Sequence, residues 1–71
     1  MLDISYKRYT IKVRSQPLPH GTWEPLAMVS WQEDNMSIGE PIASGELQDT
    51  EALADAVGLK LAMQWVDARE Q

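Results

Sequence analysis

The absence of cysteine from a chain of only 71 residues is the feature that most constrains its fold. A domain of this size buries a modest core, and small domains commonly add disulfides, a metal ion or a partner chain to that core. Without cysteine the chain has no disulfides, no thiolate chemistry and no cysteine-based zinc site. We therefore expect a single domain, residues 1–71, that is stabilised by packing alone or with the help of a second chain.

Composition favours a folded protein of the cytoplasm. The chain is 44% hydrophobic and 24% charged, which is close to ordinary globular domains and far from disordered segments. It has no apolar run near the roughly 20 residues that span a bilayer, and its first ten residues lack the basic-then-apolar order of a secretory signal. We therefore expect a cytoplasmic protein that does not associate with membranes.

Residues 4–13 have the β-branched and aromatic content of a strand. Apolar residues alternate as far as Tyr6 and again from Tyr9 onwards, but the odd step between the two tyrosines breaks the phase. A bulge would let both halves face one core. We therefore predict one strand over residues 4–13 with a bulge or kink near Lys7-Arg8.

A loop with two prolines and a glycine, residues 15–21, precedes two further predicted strands. The second strand covers residues 22–32, although Pro25 favours a start after it or an edge position. Its alternation predicts a core-facing side and an opposite side, with Trp23, Ala27, Val29 and Trp31 on the first and Leu26, Met28, Ser30 and Gln32 on the second. A polar turn at residues 33–35 leads to a weaker third strand over residues 36–47, best defined over residues 41–47.

The last third of the chain predicts a helix from residue 49 or 50 to about residue 69. Asp49 or Thr50 can cap it, and Glu51 places a carboxylate in the first turn, where the helix dipole favours negative charge. At 100° per residue an apolar stripe forms from Ala54, Val57, Gly58, Leu61, Ala62 and Trp65. Gly58 within it predicts a close approach of helix to sheet, because glycine otherwise costs roughly 1 kcal/mol relative to alanine. The fold class is therefore α+β, a three-stranded antiparallel meander with one C-terminal helix packed on one face (βββα).

Residue patterns typical of enzymes, metal sites and cofactor sites are absent from the sequence. The single histidine, His20, lies in the proline loop beside no nucleophile motif, so we interpret it as an exposed turn residue. An acidic cluster at Glu46, Asp49, Glu51 and Asp55 could offer oxygen ligands to a metal, but helix capping explains it better. We expect no enzyme activity, no cofactor and no small-molecule ligand.

Charge is divided unevenly along the chain, whose net value is −5. The first 20 residues carry four basic residues, Lys7, Arg8, Lys12 and Arg14, against Asp3 alone, whereas the remainder is strongly acidic. The basic strand with its neighbouring tyrosines is one candidate nucleic-acid surface. The acidic body disfavours this hypothesis, and the basic residues can equally form the solvated face of a strand.

Protein interaction is the function that the sequence favours, with nucleic-acid binding as the alternative. The three tryptophans are expected to meet between helix and sheet, but one helix covers only one sheet face. Leu26 and Met28 would then lie on the uncovered face, near whichever of Tyr6 or Tyr9 points there, and exposed apolar surface of this kind often marks a partner site. We therefore expect a small interaction module, a homodimer or a partner of another protein, that uses the open sheet face or an edge strand.

Four short stretches carry a resemblance to known proteins: Tyr6-Lys7-Arg8-Tyr9, Gly21-Thr22-Trp23, the Thr50-Glu51 helix start and Trp65-Val66-Asp67. With the element order they resemble small bacterial βββα proteins, a group broadly similar to the HicB-like antitoxin and double-stranded-RNA-binding folds. The resemblance implies the fold and a bacterial source. It implies no RNA site, because RNA binders of this type present lysines where this helix begins Asp49-Thr50-Glu51.

Overall fold

The structure, a computed structural model, describes residues 2–71. Along them the chain forms the strands β1 (Leu2–Tyr6), β2 (Tyr9–Val13), β3 (Gln16–Pro17), β4 (Trp23–Glu24), β5 (Leu26–Glu33) and β6 (Met36–Ala43), a 3-10 turn (Pro19–Gly21) before β4, and the helix α1 (Glu51–Arg69). Strands β1, β2, β5 and β6 form one antiparallel sheet in the order β1-β2-β5-β6, and β3 pairs with β4. The prediction of an α+β fold with one C-terminal helix packed on an antiparallel sheet is confirmed. The predicted three-stranded meander is wrong, because the main sheet has four strands and a two-stranded sheet lies beside it.

The extra strand comes from a tight turn at Lys7-Arg8, where a bulge in a single strand was expected. Both residues have positive φ, 48° and 73°, as in a type I′ hairpin turn. The turn reverses the chain, so Tyr6 pairs with Tyr9 across two strands and both rings lie on one sheet face. A two-residue turn produces the same odd step between apolar positions as a bulge does, which explains why the single strand over residues 4–13 was predicted.

The predicted second strand divides at Pro25, which separates β4 from β5, so a strand that starts after the proline is confirmed. The turn at Asp34-Asn35, with φ of 52° and 64°, joins β5 to β6 as predicted. The third strand ends at Ala43, so its predicted extension to residue 47 is wrong. The physical reason is the partner strand: Ala43 pairs with Leu26, the first residue of β5, and no strand pairing remains for residues 44–47.

Helix α1 begins and ends where the sequence predicts. The Thr50 side chain caps it by accepting a hydrogen bond from the backbone N–H of Leu53 at 3.1 Å. Its most buried line consists of Ala54, Gly58, Ala62 and Val66. Val57, Leu61 and Trp65, which were also predicted in the apolar stripe, flank this line and are half-buried. Small side chains at every fourth position let the helix axis approach the strands closely.

The core lies between α1 and one face of the four-stranded sheet. Ile11, Val13, Val29 and Val66 are fully buried there, with Tyr9, Ala27 and Ala62 around them. Side chains alternate along a strand, so the neighbours of these residues in β2 and β5 point away from the helix. Within the described residues no helix is long and apolar enough to cross a membrane.

Candidate functional site

The sheet face opposite the helix carries a shallow groove at the end of β2, β5 and β6. The register places Lys12, Met28 and Pro41 side by side, and places Leu26 opposite Ala43 in the next row. The groove has a volume of about 430 Å³ and is lined by Lys12, Arg14 and residues 26–28 and 41–43. We call it the open-face groove.

The floor of the open-face groove is apolar. It is formed by the side chains of Leu26, Met28, Pro41 and Ala43. Leu26 is half-buried, and Met28 leaves 41% of its surface exposed. The thioether of Met28 leans over Gly39, where an added Cβ would lie only 3.2 Å from its sulfur. Gly39 therefore provides the space in which the Met28 side chain rests. Elsewhere on this face the facing residues are polar, among them Ser5, Thr10 and Ser30.

Two cations form the β2 side of the open-face groove. Lys12 and Arg14 are both exposed there, and the Arg14 backbone N–H donates to the Leu26 carbonyl at 3.0 Å, which joins β2 to the start of β5. Asp3, paired with Lys12 across β1 and β2, supplies the one carboxylate on this face of the described strands. Within residues 2–71 the Lys12 ammonium makes no salt bridge with it or with any other acid. Lys12 and Arg14 therefore place positively charged side chains beside the apolar floor.

The two tyrosines predicted near Leu26 and Met28 lie on the helix side of the sheet instead. Tyr9 is buried, its hydroxyl donates to Glu70 Oε2 at 2.8 Å, and Arg69 Nε donates to the same hydroxyl at 3.1 Å. Burial, and then the hydrogen bond to Glu70, raises the pKa of Tyr9. The strand reversal at Lys7-Arg8 places both rings on this face, so Tyr6 and Tyr9 do not join a surface with Leu26 and Met28.

Tyr6 and Lys7 bind the hairpin to the helix through one carboxylate. The Tyr6 hydroxyl donates to Asp67 Oδ1 at 2.8 Å, and Lys7 Nζ lies 2.7 Å from the same oxygen. The hydrogen bonds from Lys7 and Tyr6 lower the pKa of Asp67, and the shared contact raises the pKa of both donors. Asp67 is half-buried at the junction of the helix with the hairpin.

The four basic residues of the predicted nucleic-acid surface do not form one patch. Lys7 is engaged with Asp67, and Arg8 lies at the tip of the β1–β2 turn. Lys12 and Arg14 lie toward the other end of β2, at least four residues away, or roughly 13 Å at about 3.3 Å per residue. The structure thus brings Lys12 and Arg14 together with Leu26 and Met28, and separates them from Lys7 and Arg8.

An aromatic cluster at the C-terminal end of α1 involves two of the three tryptophans. The Trp31 and Trp65 rings lie 5.6 Å apart against Tyr9, and the Arg69 guanidinium lies 4.5 Å from the Trp31 ring centre. The prediction that the tryptophans meet is confirmed for this pair and wrong for Trp23, which lies in β4 and pairs with Pro17. The sequence interpretation missed the role of Arg69, although its spacing of four residues from Trp65 is a signal for such contact.

The remaining candidates, His20 and the acidic cluster, lie in different parts of the fold. His20 is exposed in the 3-10 turn with a φ of 73°. Asp55 of the acidic cluster accepts a hydrogen bond from the buried Ser15 hydroxyl at 2.6 Å, which attaches the β2–β3 connection to the helix. Among the described residues there is no group of three histidine or acidic side chains that could hold a metal ion.

Comparisons with protein-family models, with curated proteins and with solved structures find no match to this chain. The resemblance to the HicB-like and double-stranded-RNA-binding folds therefore stays a prediction.

Proposed function

We propose that this protein is a small non-enzymatic protein-interaction module whose contact surface is the open-face groove. The observation that carries the proposal is the coverage of the sheet: one helix packs on one face of four strands and leaves the apolar floor with Leu26 and Met28 in solvent. A concave apolar surface with a charged rim has the anatomy of an interaction site, in which apolar contact supplies affinity and the rim supplies orientation.

An edge strand is a second route to the same function. β1 and β6 are the outer strands of the sheet, and each presents backbone groups that could pair with an added strand. Pro41 of β6 has no N–H to donate and lies at the open-face groove itself. Because Pro41 cannot donate to an added strand, the apolar floor of the groove is the better contact surface on this side of the sheet.

Nucleic-acid binding through Lys7, Arg8, Lys12 and Arg14 is supported less well. Binding through phosphates commonly uses six or more contacts, and these four cations are divided between the β1–β2 turn and the open-face groove. The chain as a whole carries a net charge of −5, which repels a polyanion.

Selection of peptides from a random display library, followed by binding measurements on two methionine variants, tests the proposal. Met28→Asp should weaken binding of a selected peptide at least tenfold, because it places a carboxylate on the apolar floor. Met36→Asp is the matched control: Met36 is also exposed, at 65%, but lies at the far end of the sheet on β6. The affinity of the selected peptide for Met36→Asp should equal its affinity for the unaltered protein.

Nuclear magnetic resonance shifts on addition of the peptide provide the second readout. Amide signals of residues 26–28 and 41–43 should move most. Shifts confined to α1 or to the β1–β2 turn, or equal losses of binding in both variants, would overturn the proposal.

A further inference from the structure

A second apolar surface lies on the helix side of the sheet, where α1 passes beside the outer strand β1. Leu2 and Ile4 of β1 and Leu59 and Met63 of α1 form it, and we call these four residues the β1 flank. Leu2 leaves 43% of its surface exposed, and the other three are half-buried. We propose that a second copy of this chain binds here, by antiparallel pairing of the two β1 strands around a twofold axis at Ile4.

The free edge of β1 is open to pairing. Its five residues pair with β2 in unbroken register, and no strand among the described residues lies on its other side. Proline, lysine and bulges commonly protect an edge strand, and β1 has none of them, whereas the opposite edge strand β6 contains Pro41. An added strand can therefore form backbone hydrogen bonds along the whole of β1.

Two contacts show that α1 runs alongside β1. At one end, a Cβ added to Gly58 would lie 3.5 Å from Cγ1 of Val13, which pairs with Leu2. At the other end, the Tyr6 hydroxyl donates to Asp67. Between these ends the strand advances four residues, or about 13 Å, and the helix nine residues, or about 13.5 Å. The two elements therefore keep step, and Met63 is level with Ile4.

Pairing around Ile4 makes β1 complementary to itself. Leu2 then lies opposite Tyr6 of the second copy, and Ile4 lies opposite Ile4, so apolar side chains meet on the helix side. On the open face Asp3 lies opposite Ser5, so no like charges oppose each other. The apolar row of each strand extends the sheet beside Leu59 and Met63 of the other copy.

The charges on this side of the helix favour a second copy over an unrelated strand. Lys60 and Asp67 are the charged residues that line a cavity of about 380 Å³ beside Leu59 and Met63. Lys60 lies toward the Leu2 end and has no salt bridge with any described residue, and Asp67 remains 45% exposed beside Lys7 at the other end. The twofold axis brings Lys60 of each copy toward Asp67 of the other and keeps like charges apart. A foreign strand has to match this order of charges by chance, whereas a second copy matches it by symmetry.

The surface area of the chain indicates a small, reversible interface. The accessible surface is 4957 Å², whereas a monomer of 8.0 kDa typically exposes about 4,450 Å². The excess is roughly 500 Å², which is close to what each partner contributes to a weak interface of about 1,000 Å² in total. We therefore expect a dimer that dissociates on dilution.

Single cysteines in β1 test the pairing, because the chain has no cysteine of its own. Ile4→Cys places two thiols on the twofold axis with Cα atoms about 4.5–5.5 Å apart, within disulfide range. Ser5→Cys is the matched control, because Ser5 is more exposed but faces Asp3 of the second copy. Under copper-phenanthroline oxidation Ile4→Cys should form a covalent dimer at least tenfold faster than Ser5→Cys.

Sedimentation equilibrium from micromolar to millimolar concentration provides the second test. The unaltered protein should dimerise reversibly, and Leu2→Lys should weaken the dimer at least tenfold, because it adds a protective lysine to the edge. Met36→Lys makes the same kind of change at an exposed residue of the opposite edge strand and should leave dimerisation unchanged.

A protein that stays monomeric at millimolar concentration would overturn the inference. So would Ser5→Cys that cross-links as fast as Ile4→Cys, or a dimer that Met36→Lys dissociates and Leu2→Lys does not. A monomer whose residues 2–6 shift on addition of a selected peptide would replace the second copy with a foreign strand. These outcomes are separate from the proposed function, because the open-face groove lies on the other sheet face and Met28→Asp should leave the dimer intact.

Discussion

Gly58→Ala tests the close approach of α1 to the sheet. The Cβ of an alanine at this position would lie 3.3 Å from the Leu26 carbonyl oxygen and 3.5 Å from Val13 Cγ1. The carbonyl cannot retreat freely, because it accepts the Arg14 N–H at 3.0 Å and so belongs to the β2–β5 ladder. The added methyl group therefore has to displace the helix or the start of β5.

Two opposing effects determine how far Gly58→Ala changes the free energy of unfolding. Replacing glycine by alanine in a helix gains about 1 kcal/mol of helix propensity. Overpacking a tight core costs typically 1–3 kcal/mol. The net expectation is a loss of about 1 kcal/mol in the free energy of unfolding, which lowers Tm by roughly 4–8 °C for a domain of this size.

Urea and thermal unfolding of Gly58→Ala and Ala56→Gly together separate the two effects. Ala56 is exposed on the same helix, so Ala56→Gly should lose about 1 kcal/mol from propensity alone. The packing cost at position 58 is then the measured loss plus that propensity gain. A Gly58→Ala protein more stable than the original by about 1 kcal/mol would refute the close approach.

Three further substitutions concern the two tight turns and the attachment of the β1–β2 hairpin to the helix. Arg8→Gly should stabilise the protein by up to about 1 kcal/mol in urea unfolding, because glycine adopts the positive φ of this turn without steric cost. Asn35→Gly in the other turn should gain less, since asparagine already tolerates this conformation, and a larger gain there would contradict the reasoning. Asp67→Asn should be less stable than the original protein at pH 7, and the difference should shrink as pH falls below the ordinary aspartate pKa of 3.8. The sign follows because Lys7 and Tyr6 lower the folded-state pKa, so protonation in acid removes the stabilisation; an equal difference at pH 7 and pH 3 would contradict it.

Much of the local structure could be predicted from the sequence. Thr50 and the acidic first turn mark the start of α1, and Asp34-Asn35 marks a turn, because caps and tight turns depend on residues a few positions apart. The division of β5 into a face covered by the helix and an opposite face that carries Leu26 and Met28 also follows from alternation alone.

The candidate site was predicted in part. Leu26, Met28, Lys12 and Arg14 were identified separately, the first two as an apolar face and the others as a basic strand. Their union in one groove requires the β2–β5 register, which places Lys12 beside Met28. Pairing between strands far apart in sequence leaves little signal in either strand.

The sequence by itself determined the helix, its cap, the alternation of the strands and a phase break between Tyr6 and Tyr9. The tertiary structure decided that this break is a chain reversal, because a bulge and a two-residue turn shift apolar alternation alike and only strand pairing distinguishes them. That reversal turned both tyrosines toward the helix, added a fourth strand, and left the open-face groove to Leu26, Met28, Lys12 and Arg14. Local residue chemistry specifies local geometry, whereas the identity of the uncovered face depends on which strands pair and on where one helix finds room to pack.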